Sequence, residues 1–155
     1  MKKEQQVVLI LDFGGQYKEL IARCAREKRV YSIVRAGDTI TPEEVKKIHP
    51  IGMILTGGPN SVYDPASPHC DKRILELGIP VLGICYGMQL LAYTLGGTVS
   101  PCETSEYGKT AVMLNPDSPL FYGLIAEETG LMSHTDQVTT LPAGFVRTGW
   151  TAHCE

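Results

Sequence analysis

The chain has 155 residues, 43% of them hydrophobic and 20% charged, which is typical of one globular domain and excludes a disordered chain. A formal net charge of −3 provides no basic field, so we expect neither nucleic acid nor an anionic membrane as a partner. Five cysteines without a signal peptide, a C-x-x-C pair or a close Cys/His cluster predict a cytoplasmic protein with reduced thiols and no metal site.

The first half of the chain alternates predicted strands and helices. Continuous apolar runs indicate buried strands, whereas apolar residues at helical spacing indicate helices, one of them starting at Thr41-Pro42-Glu43-Glu44. Gly78 and the pair Gly96-Gly97 are predicted to end two of the helices. Strands are expected at residues 7–11, 30–34, 51–55 and 80–84, and helices at 16–28, from 41, at 71–77 and at 87–95.

This alternation predicts an α/β fold with a mainly parallel central sheet flanked by helices. The pattern weakens after residue 97, where shorter strands are expected at 110–114 and 145–150 with antiparallel pairing. The sequence shows no internal repeat, low-complexity tract or interdomain linker. We therefore treat residues 1–155 as one domain.

Three polar or glycine-rich positions follow predicted strands directly. Asp12 ends the first strand, Gly57-Gly58 follows the third, and Cys85 follows the fourth. Parallel sheets place their ligands beyond the carboxyl ends of the strands. We therefore expect these positions to share one edge of the sheet.

Cys85 lies in a G-x-C-x-G segment, Gly83-Ile-Cys-Tyr-Gly87, between an apolar strand and an apolar helix. This context is typical of a nucleophile elbow, in which the helix N-terminus favours the reactive thiolate. The alternative is a buried structural cysteine, which is common. The glycines on both sides favour the nucleophile.

Acyl transfer also requires hydrogen-bond donors for an oxyanion. The elbow supplies the backbone N–H of Tyr86, and the best second candidate is the Gly57-Gly58-Pro59 segment, because glycines let backbone N–H groups approach a ligand. Gly-Gly-Pro is more often a plain turn. Its position at a strand end beside the elbow favours function.

Taken with two further segments, these motifs resemble the class I (triad) glutamine amidotransferases, which have a flavodoxin-like architecture, and within them the amidotransferase domains of GMP synthetases. The resemblance covers nearly the whole chain, with the motifs in the family's order. The segments that carry it are Asp12-Phe-Gly-Gly-Gln-Tyr17, Thr56-Gly-Gly-Pro-Asn-Ser-Val-Tyr63, Gly83-Ile-Cys-Tyr-Gly-Met-Gln89 and Met132-Ser-His-Thr-Asp-Gln-Val138.

The resemblance implies that Cys85 attacks the side-chain amide of L-glutamine, releasing ammonia and then glutamate. It implies an oxyanion site formed by Gly58 and Tyr86 and a substrate pocket that includes Gln89, Ser133 and His134. Asp136 belongs to the same motif, but the resemblance gives it no definite role. No cofactor is implied for this domain; ATP and Mg²⁺ are expected in the ATP-pyrophosphatase synthetase domain or subunit that receives the ammonia and converts XMP to GMP.

The sequence departs from the family pattern at several places. Thr135 replaces a usual glycine, and Gly15 replaces a frequent serine. The family's catalytic His and Glu occupy a Gln-Phe-His-Pro-Glu segment that this sequence does not contain, and the synthetase's Ser-Gly-Gly-x-Asp-Ser loop is also missing from it. We therefore expect a domain incomplete at its C-terminus, in which His153 and Glu155 are bystanders despite their H-x-E spacing.

Two other functions remain open at this point. One is a non-catalytic module of the same fold that binds glutamine or docks to a synthetase. The other is an amidotransferase of another pathway, such as anthranilate synthesis, which the Asp12–Tyr17 and Met132–Val138 segments disfavour. A reading frame continuing into Gln-Phe-His-Pro-Glu would distinguish the enzyme from the binding module.

Overall fold

The computed structural model describes residues 6–154, which separate into two compact units, one up to Leu91 and one from Ala92 onward. In the described part of the first unit, four parallel strands form a sheet with the order β2-β1-β3-β4. The strands are β1 (Val7–Asp12), β2 (Tyr31–Ala36), β3 (Gly52–Leu55) and β4 (Val81–Gly83). The helices are α1 (Lys18–Glu27), α2 (Pro42–Ile48) and α3 (Tyr86–Thr94), of which α3 begins in this unit.

The apolar run in β1 forms the centre of the first unit. Leu9, Ile10 and Leu11 have no exposed surface, because β1 has neighbours on both edges and cover on both faces. The predicted helix start at Thr41 is confirmed. The Thr41 hydroxyl accepts a hydrogen bond from the Glu44 N–H at 3.2 Å, and the Glu44 carboxylate accepts one from the Thr41 N–H at 2.8 Å, which is a capping box.

The helix predicted at 71–77 is wrong. The segment forms a single 3₁₀ turn, Lys72–Ile74, in which the Asp71 carboxylate accepts a hydrogen bond from the Arg73 N–H at 2.9 Å. A seven-residue segment gains few helical hydrogen bonds after nucleation, and an Asx turn satisfies the same backbone groups locally. Gly78 follows with a positive φ of 72°, as expected of the predicted stop.

The second unit contains an antiparallel sheet with the order β6-β5-β7 among its described residues. Its strands are β5 (Thr98–Leu114), β6 (Glu127–Thr140) and β7 (Gly149–Trp150). The antiparallel pairing was predicted, but the lengths were not: the strand expected at 110–114 is the end of a 17-residue strand, and only two residues of 145–150 are extended. With its mainly parallel sheet, its helices and its second antiparallel sheet, the chain has the predicted fold class.

No helix among residues 6–154 combines the length and the apolar character needed to cross a bilayer.

Candidate active site

Three loops of the first unit meet at one edge of its sheet. The strands β1, β3 and β4 are neighbours and run parallel, with Leu11 opposite Leu55 and Leu55 opposite Gly83. The loops that follow these strands therefore start at the same level. This confirms the expectation that Asp12, Gly57-Gly58 and Cys85 share a sheet edge.

Cys85 occupies a sharp turn between β4 and α3. Its φ is +50°, a left-handed conformation that non-glycine residues seldom adopt and that is concentrated at functional sites. The turn is held at both ends, because the Ile84 N–H donates to the Leu55 carbonyl at 3.0 Å and the Gln89 N–H donates to the Cys85 carbonyl at 3.1 Å. The thiol is exposed. Its geometry is that of a nucleophile elbow.

The two glycines of the elbow are required by close packing. A β-carbon on Gly83 would lie 2.6 Å from the Met88 nitrogen, and one on Gly87 would lie 2.7 Å from the Leu55 β-carbon. Neither distance is tolerated by a real side chain without movement of the backbone. The glycines thus allow α3 to start directly against β3 and β4.

The Gly57-Gly58 segment lies beside the elbow. A β-carbon on Gly57 would be 3.5 Å from the Cys85 β-carbon, and one on Gly58 would be 3.4 Å from the Tyr86 ring and 2.5 Å from the Phe13 carbonyl oxygen. Both glycines therefore bring bare backbone close to the turn. A donor from this loop and the N–H of Tyr86, which as the first residue of α3 has no intrahelical acceptor, are the candidate oxyanion donors.

The loop after β1 supports the Gly57-Gly58 segment from the other side. The Phe13 N–H donates to the Thr56 hydroxyl at 3.0 Å. The Asp12 carboxylate accepts hydrogen bonds from the Gly14 N–H and the Lys18 ammonium. Burial alone would raise the pKa of Asp12, but these two hydrogen bonds outweigh it and lower that pKa. Asp12 therefore serves as a charged anchor of its own loop.

Tyr86 is fixed by its side chain. The residue is 2% exposed, its ring lies 5.7 Å from the Phe13 ring, and its hydroxyl donates to the Pro68 carbonyl at 2.6 Å. Burial raises the pKa of the phenol to about 12, so the hydroxyl remains a donor at neutral pH. These contacts of the side chain hold Tyr86 in place at the start of α3.

Three of the other thiols lie in environments that raise their pKa, whereas Cys85 is exposed. Burial raises the pKa of both Cys70 and Cys154 to about 11 and raises that of Cys102. Cys24 is exposed on α1. Thiolates are the reactive form, so burial suppresses the nucleophilicity of Cys70, Cys102 and Cys154.

Gln89 lies in α3 one turn after Cys85, as expected, but it does not stand in open solvent. The residue is 7% exposed, which makes it one of the buried polar residues of the chain. A buried amide side chain with its own interactions contributes to stability as well as to any recognition of substrate.

Ser133, His134 and Asp136 belong to the second unit, on β6. Ser133 is exposed, whereas His134 is half-buried and Asp136 is buried. Neighbouring residues of a strand point their side chains to opposite faces. On the face of β6 that carries the His134 side chain, Ser133 therefore presents only its backbone.

His134 has a partner that the sequence did not reveal. Its Nε2 lies 2.9 Å from the Glu106 carboxylate, and its Nδ1 lies 3.7 Å from the Cys102 sulfur. Glu106 is 5% exposed and also accepts a hydrogen bond from the Thr151 hydroxyl at 2.6 Å. The sequence offered one signal for this contact, the acidic residue Glu106, and it lies in a segment that was not predicted to form a strand.

The H-x-E pair at the end of the chain is only partly described. His153 is exposed in the second unit, and its N–H donates to the Thr151 hydroxyl at 3.2 Å. Glu155 lies outside the described residues. The expectation that this pair has no catalytic role stays a prediction.

Comparison with known proteins identifies the family. The model of the family described as glutamine amidotransferase class-I matches residues 9–155. The chain belongs to the class I glutamine amidotransferase family. The strand-end loops and the cysteine elbow described above lie within the matched range.

Several relatives and solved structures are similar to this chain. It is 52% identical over 151 residues to a protein of Alkaliphilus metalliredigens named GMP synthase [glutamine-hydrolyzing], covering 97% of the chain and 29% of that protein. It is 50% identical over 154 residues to the protein of the same name from Clostridium novyi, covering 99% of the chain and 30% of that protein. The chain thus spans less than a third of the length of these relatives.

Solved structures confirm the fold. A Thermoplasma acidophilum protein described as a GMP synthase subunit superposes with a TM-score of 0.85 at 27% identity, covering 98% of this chain and 76% of the other. A glutamine amidotransferase of Thermotoga maritima superposes with a TM-score of 0.75 at 23% identity, covering 98% of this chain and 70% of the other. The second likeness concerns the fold alone.

Proposed function

We propose that Cys85 of this chain is the nucleophile of L-glutamine hydrolysis and that the ammonia serves a synthetase that converts XMP to GMP. The observation that carries the proposal is the left-handed backbone of Cys85, with φ at +50°, at a strand-to-helix turn. That conformation is costly for a non-glycine residue. Here it presents an exposed thiol beside the bare backbone of Gly57.

The chemistry follows from these groups. The Cys85 thiolate attacks the side-chain amide carbon of glutamine, which forms a C–S bond and moves an electron pair to the carbonyl oxygen. The N–H of Tyr86 and that of Gly58 are proposed to hold this oxyanion. Its collapse breaks the C–N bond, the nitrogen takes up a proton, and ammonia leaves a γ-glutamyl thioester. Water then breaks the C–S bond, giving glutamate and the free thiol.

Substrate recognition is assigned to two groups of residues. Gln89 is proposed to bind glutamine from α3, and Ser133 and His134 are proposed to contact its amino-acid end. His134 is assigned a backbone contact, because its ring nitrogens already face Glu106 and Cys102. In this proposal, hydrolysis needs no cofactor, and ATP and Mg²⁺ act in the synthetase. The names of the relatives, which are glutamine-hydrolysing GMP synthases, support XMP amination as the use of the ammonia.

A protection experiment tests the glutaminase proposal. The chain is treated with a chloroketone analogue of glutamine, and the modified residue is identified by peptide mass mapping. We expect modification at Cys85 that L-glutamine slows in a saturable way and that L-asparagine does not slow. Modification of Cys85 that L-glutamine fails to slow would contradict the substrate, and modification of another thiol first would contradict the nucleophile.

The GMP branch needs a separate measurement. A synthetase ATP-pyrophosphatase domain from a relative is mixed with a longer form of this chain that continues into a Gln-Phe-His-Pro-Glu segment, together with glutamine, ATP, Mg²⁺ and XMP, and GMP formation is followed by chromatography. We expect GMP formation to depend on both proteins and to be lost with Cys85→Ser. Formation of GMP from added ammonium salt but not from glutamine would contradict the assigned partner.

A further inference from the structure

Three side chains of different metal-binding types meet within the described part of the second unit. Glu106 lies on β5, His134 on β6, and Cys154 follows β7. One ligand atom of each residue lies within 4.8 Å of the others. Ligands at about 2.0–2.3 Å from a tetrahedral zinc ion are roughly 3.5 Å apart, so modest side-chain movement brings these atoms around one ion.

The carboxylate of this cluster is held in place. Glu106 is 5% exposed; one of its oxygens accepts from the Thr151 hydroxyl at 2.6 Å, and the other lies 2.9 Å from Nε2 of His134. Carboxylates that are so far removed from water are usually paired or coordinate a metal. The oxygen beside Nε2 points into the cluster.

A bulge in β5 shapes the histidine side of the cluster. Pro101 pairs with Asp136 and Glu106 pairs with His134, so residues 102–105 stand opposite a single residue of β6. The bulge brings the Cys102 sulfur to 3.7 Å from Nδ1 of His134. A histidine that binds metal through one ring nitrogen usually donates from the other to a neighbouring group. Nε2 beside Glu106 is therefore the ligand atom, and Nδ1 faces Cys102.

A short turn fixes Cys154. The Thr151 N–H donates to the Cys154 carbonyl at 2.8 Å, and the Cys154 N–H donates to the Thr151 hydroxyl at 2.9 Å. The same hydroxyl donates to Glu106. Thr151 thus connects the thiol and the carboxylate and orders both before an ion arrives.

We propose that Glu106, His134 and Cys154 form a zinc-binding site. Zinc takes carboxylate oxygen, imidazole nitrogen and thiolate sulfur as ligands, whereas Mg²⁺ and Ca²⁺ take oxygen ligands. Three protein ligands leave the fourth tetrahedral position to a water molecule. On binding, the Cys154 thiol releases its proton to solvent as the Zn–S bond forms.

The experiment uses the Cys85→Ser chain, so that the exposed thiol of the elbow cannot capture the ion. Zinc affinity and stoichiometry are measured by competition with a chromogenic chelator, and Co²⁺ is used as a spectroscopic substitute. We expect one zinc ion per chain, and a cobalt complex with intense visible bands and a thiolate charge-transfer band. Neither readout depends on glutamine hydrolysis, so this proposal and the glutaminase proposal fail separately.

Variants made in this chain assign the ligands. Cys154→Ser is expected to remove the charge-transfer band, and Cys154→Ser or Glu106→Gln is expected to weaken zinc binding about tenfold or more. Cys24→Ser changes an exposed thiol of α1 and is expected to leave both readouts unchanged. Circular dichroism confirms that each variant is folded. Absence of stoichiometric binding, or a charge-transfer band that survives Cys154→Ser, would overturn the proposal.

Discussion

Gly57 lies directly against Cys85, since a β-carbon built on Gly57 would be 3.5 Å from the β-carbon of the cysteine. That distance is an ordinary van der Waals contact. The loop therefore has room for one methyl group, but that methyl group would occupy the space beside the thiol. A substitution of Gly57 by alanine is therefore expected to affect the reactivity of Cys85 more than the stability of the fold.

We expect Gly57→Ala to fold with nearly unchanged stability. Its Cys85 should react with a glutamine-like electrophile on the order of tenfold more slowly, because a small misplacement at a reacting centre slows the reaction. The measurement is the rate of Cys85 modification together with the thermal midpoint. The matched control is Gly58→Ala, whose β-carbon would lie 2.5 Å from the Phe13 carbonyl oxygen and should lower the midpoint. Equal rates for Gly57→Ala and the unchanged chain would contradict the prediction.

The elbow glycine Gly87 is predicted to limit stability. A methyl group there would lie 2.7 Å from the β-carbon of Leu55, the fully buried last residue of β3. We therefore expect Gly87→Ala to lower the free energy of unfolding by about 1–3 kcal/mol. Urea unfolding provides the measurement. Gly52→Ala is the control, because its β-carbon would be 3.6 Å from the Pro80 carbonyl oxygen and fits. A loss as large for Gly52→Ala would show that the clash is not the cause.

The sequence predicted the first unit better than the second for a physical reason. Residues 7–11 form a continuous apolar run because β1 is buried on both faces, and such a run is visible without knowledge of its neighbours. Glu127–Thr140 alternates exposed and partly buried residues with few apolar ones, so its pairing with β5 provides most of its strand character. Pattern alone therefore missed β6.

The same difference applies to the candidate sites. The elbow around Cys85 is encoded locally, because glycines at 83 and 87 permit the turn and the apolar segments on either side form β4 and α3. The contact between Glu106 and His134 joins residues 28 positions apart across a bulged strand pair. Sequence spacing predicted no metal cluster, and only the register of β5 and β6 brings these ligands together.

The five thiols are predicted to differ in reactivity, with Cys85 first. At pH 8 a thiol whose pKa is about 11, such as Cys70 or Cys154, is ionised in roughly one molecule per thousand. Cys24 is the exposed competitor, so the experiment compares the unchanged chain with Cys24→Ser. Mass mapping after a brief pulse of a glutamine-like electrophile gives the order of labelling. Preferential labelling of Cys24, Cys70, Cys102 or Cys154 in the unchanged chain would exclude the predicted role of Cys85.

The buried thiol of Cys70 also predicts an alkaline effect on stability. Its pKa is raised from 9.0 to about 11, so the folded state holds the proton more tightly than the unfolded state. This contribution is fully present below pH 9 and is lost as the pH rises toward 11. Cys70→Ala should therefore show a smaller decrease in unfolding free energy than the unchanged chain between these pH values, measured by urea unfolding. An identical pH dependence would contradict the assignment.

Gln89 is predicted to contribute both to binding and to stability. Because the residue is 7% exposed, Gln89→Ala should lower the free energy of unfolding by about 1 kcal/mol, more than the same change at an exposed glutamine would. If Gln89 binds the substrate, the variant should also weaken the protection of Cys85 by L-glutamine about tenfold or more. Met88→Ala, at the neighbouring and more exposed position of α3, is the control and should leave protection unchanged. If Gln89→Ala is protected as well as the control, Gln89 does not bind the substrate.

The last prediction concerns the general base. Of the four histidines, His49 is the exposed C-cap of α2, Nε2 of His69 lies 2.8 Å from the Val62 carbonyl, and His134 pairs with Glu106. His153 is exposed, with its N–H donating to Thr151. Each has a structural interaction that accounts for its position without a catalytic role. The 155-residue sequence also lacks the Gln-Phe-His-Pro-Glu segment in which the family resemblance predicts the base.

We therefore expect ammonia release from glutamine near background for the 155-residue chain and for its His153→Ala variant. A longer chain that continues into a Gln-Phe-His-Pro-Glu segment should be faster by on the order of 10² or more, the lower range of what a general base contributes. The same longer chain with that histidine changed to alanine is the control and should return to the slow rate. Rapid turnover by the short chain that disappears in His153→Ala would instead make His153 the base, because the substitution removes only its imidazole and leaves the hydrogen bond from its backbone N–H to Thr151 intact.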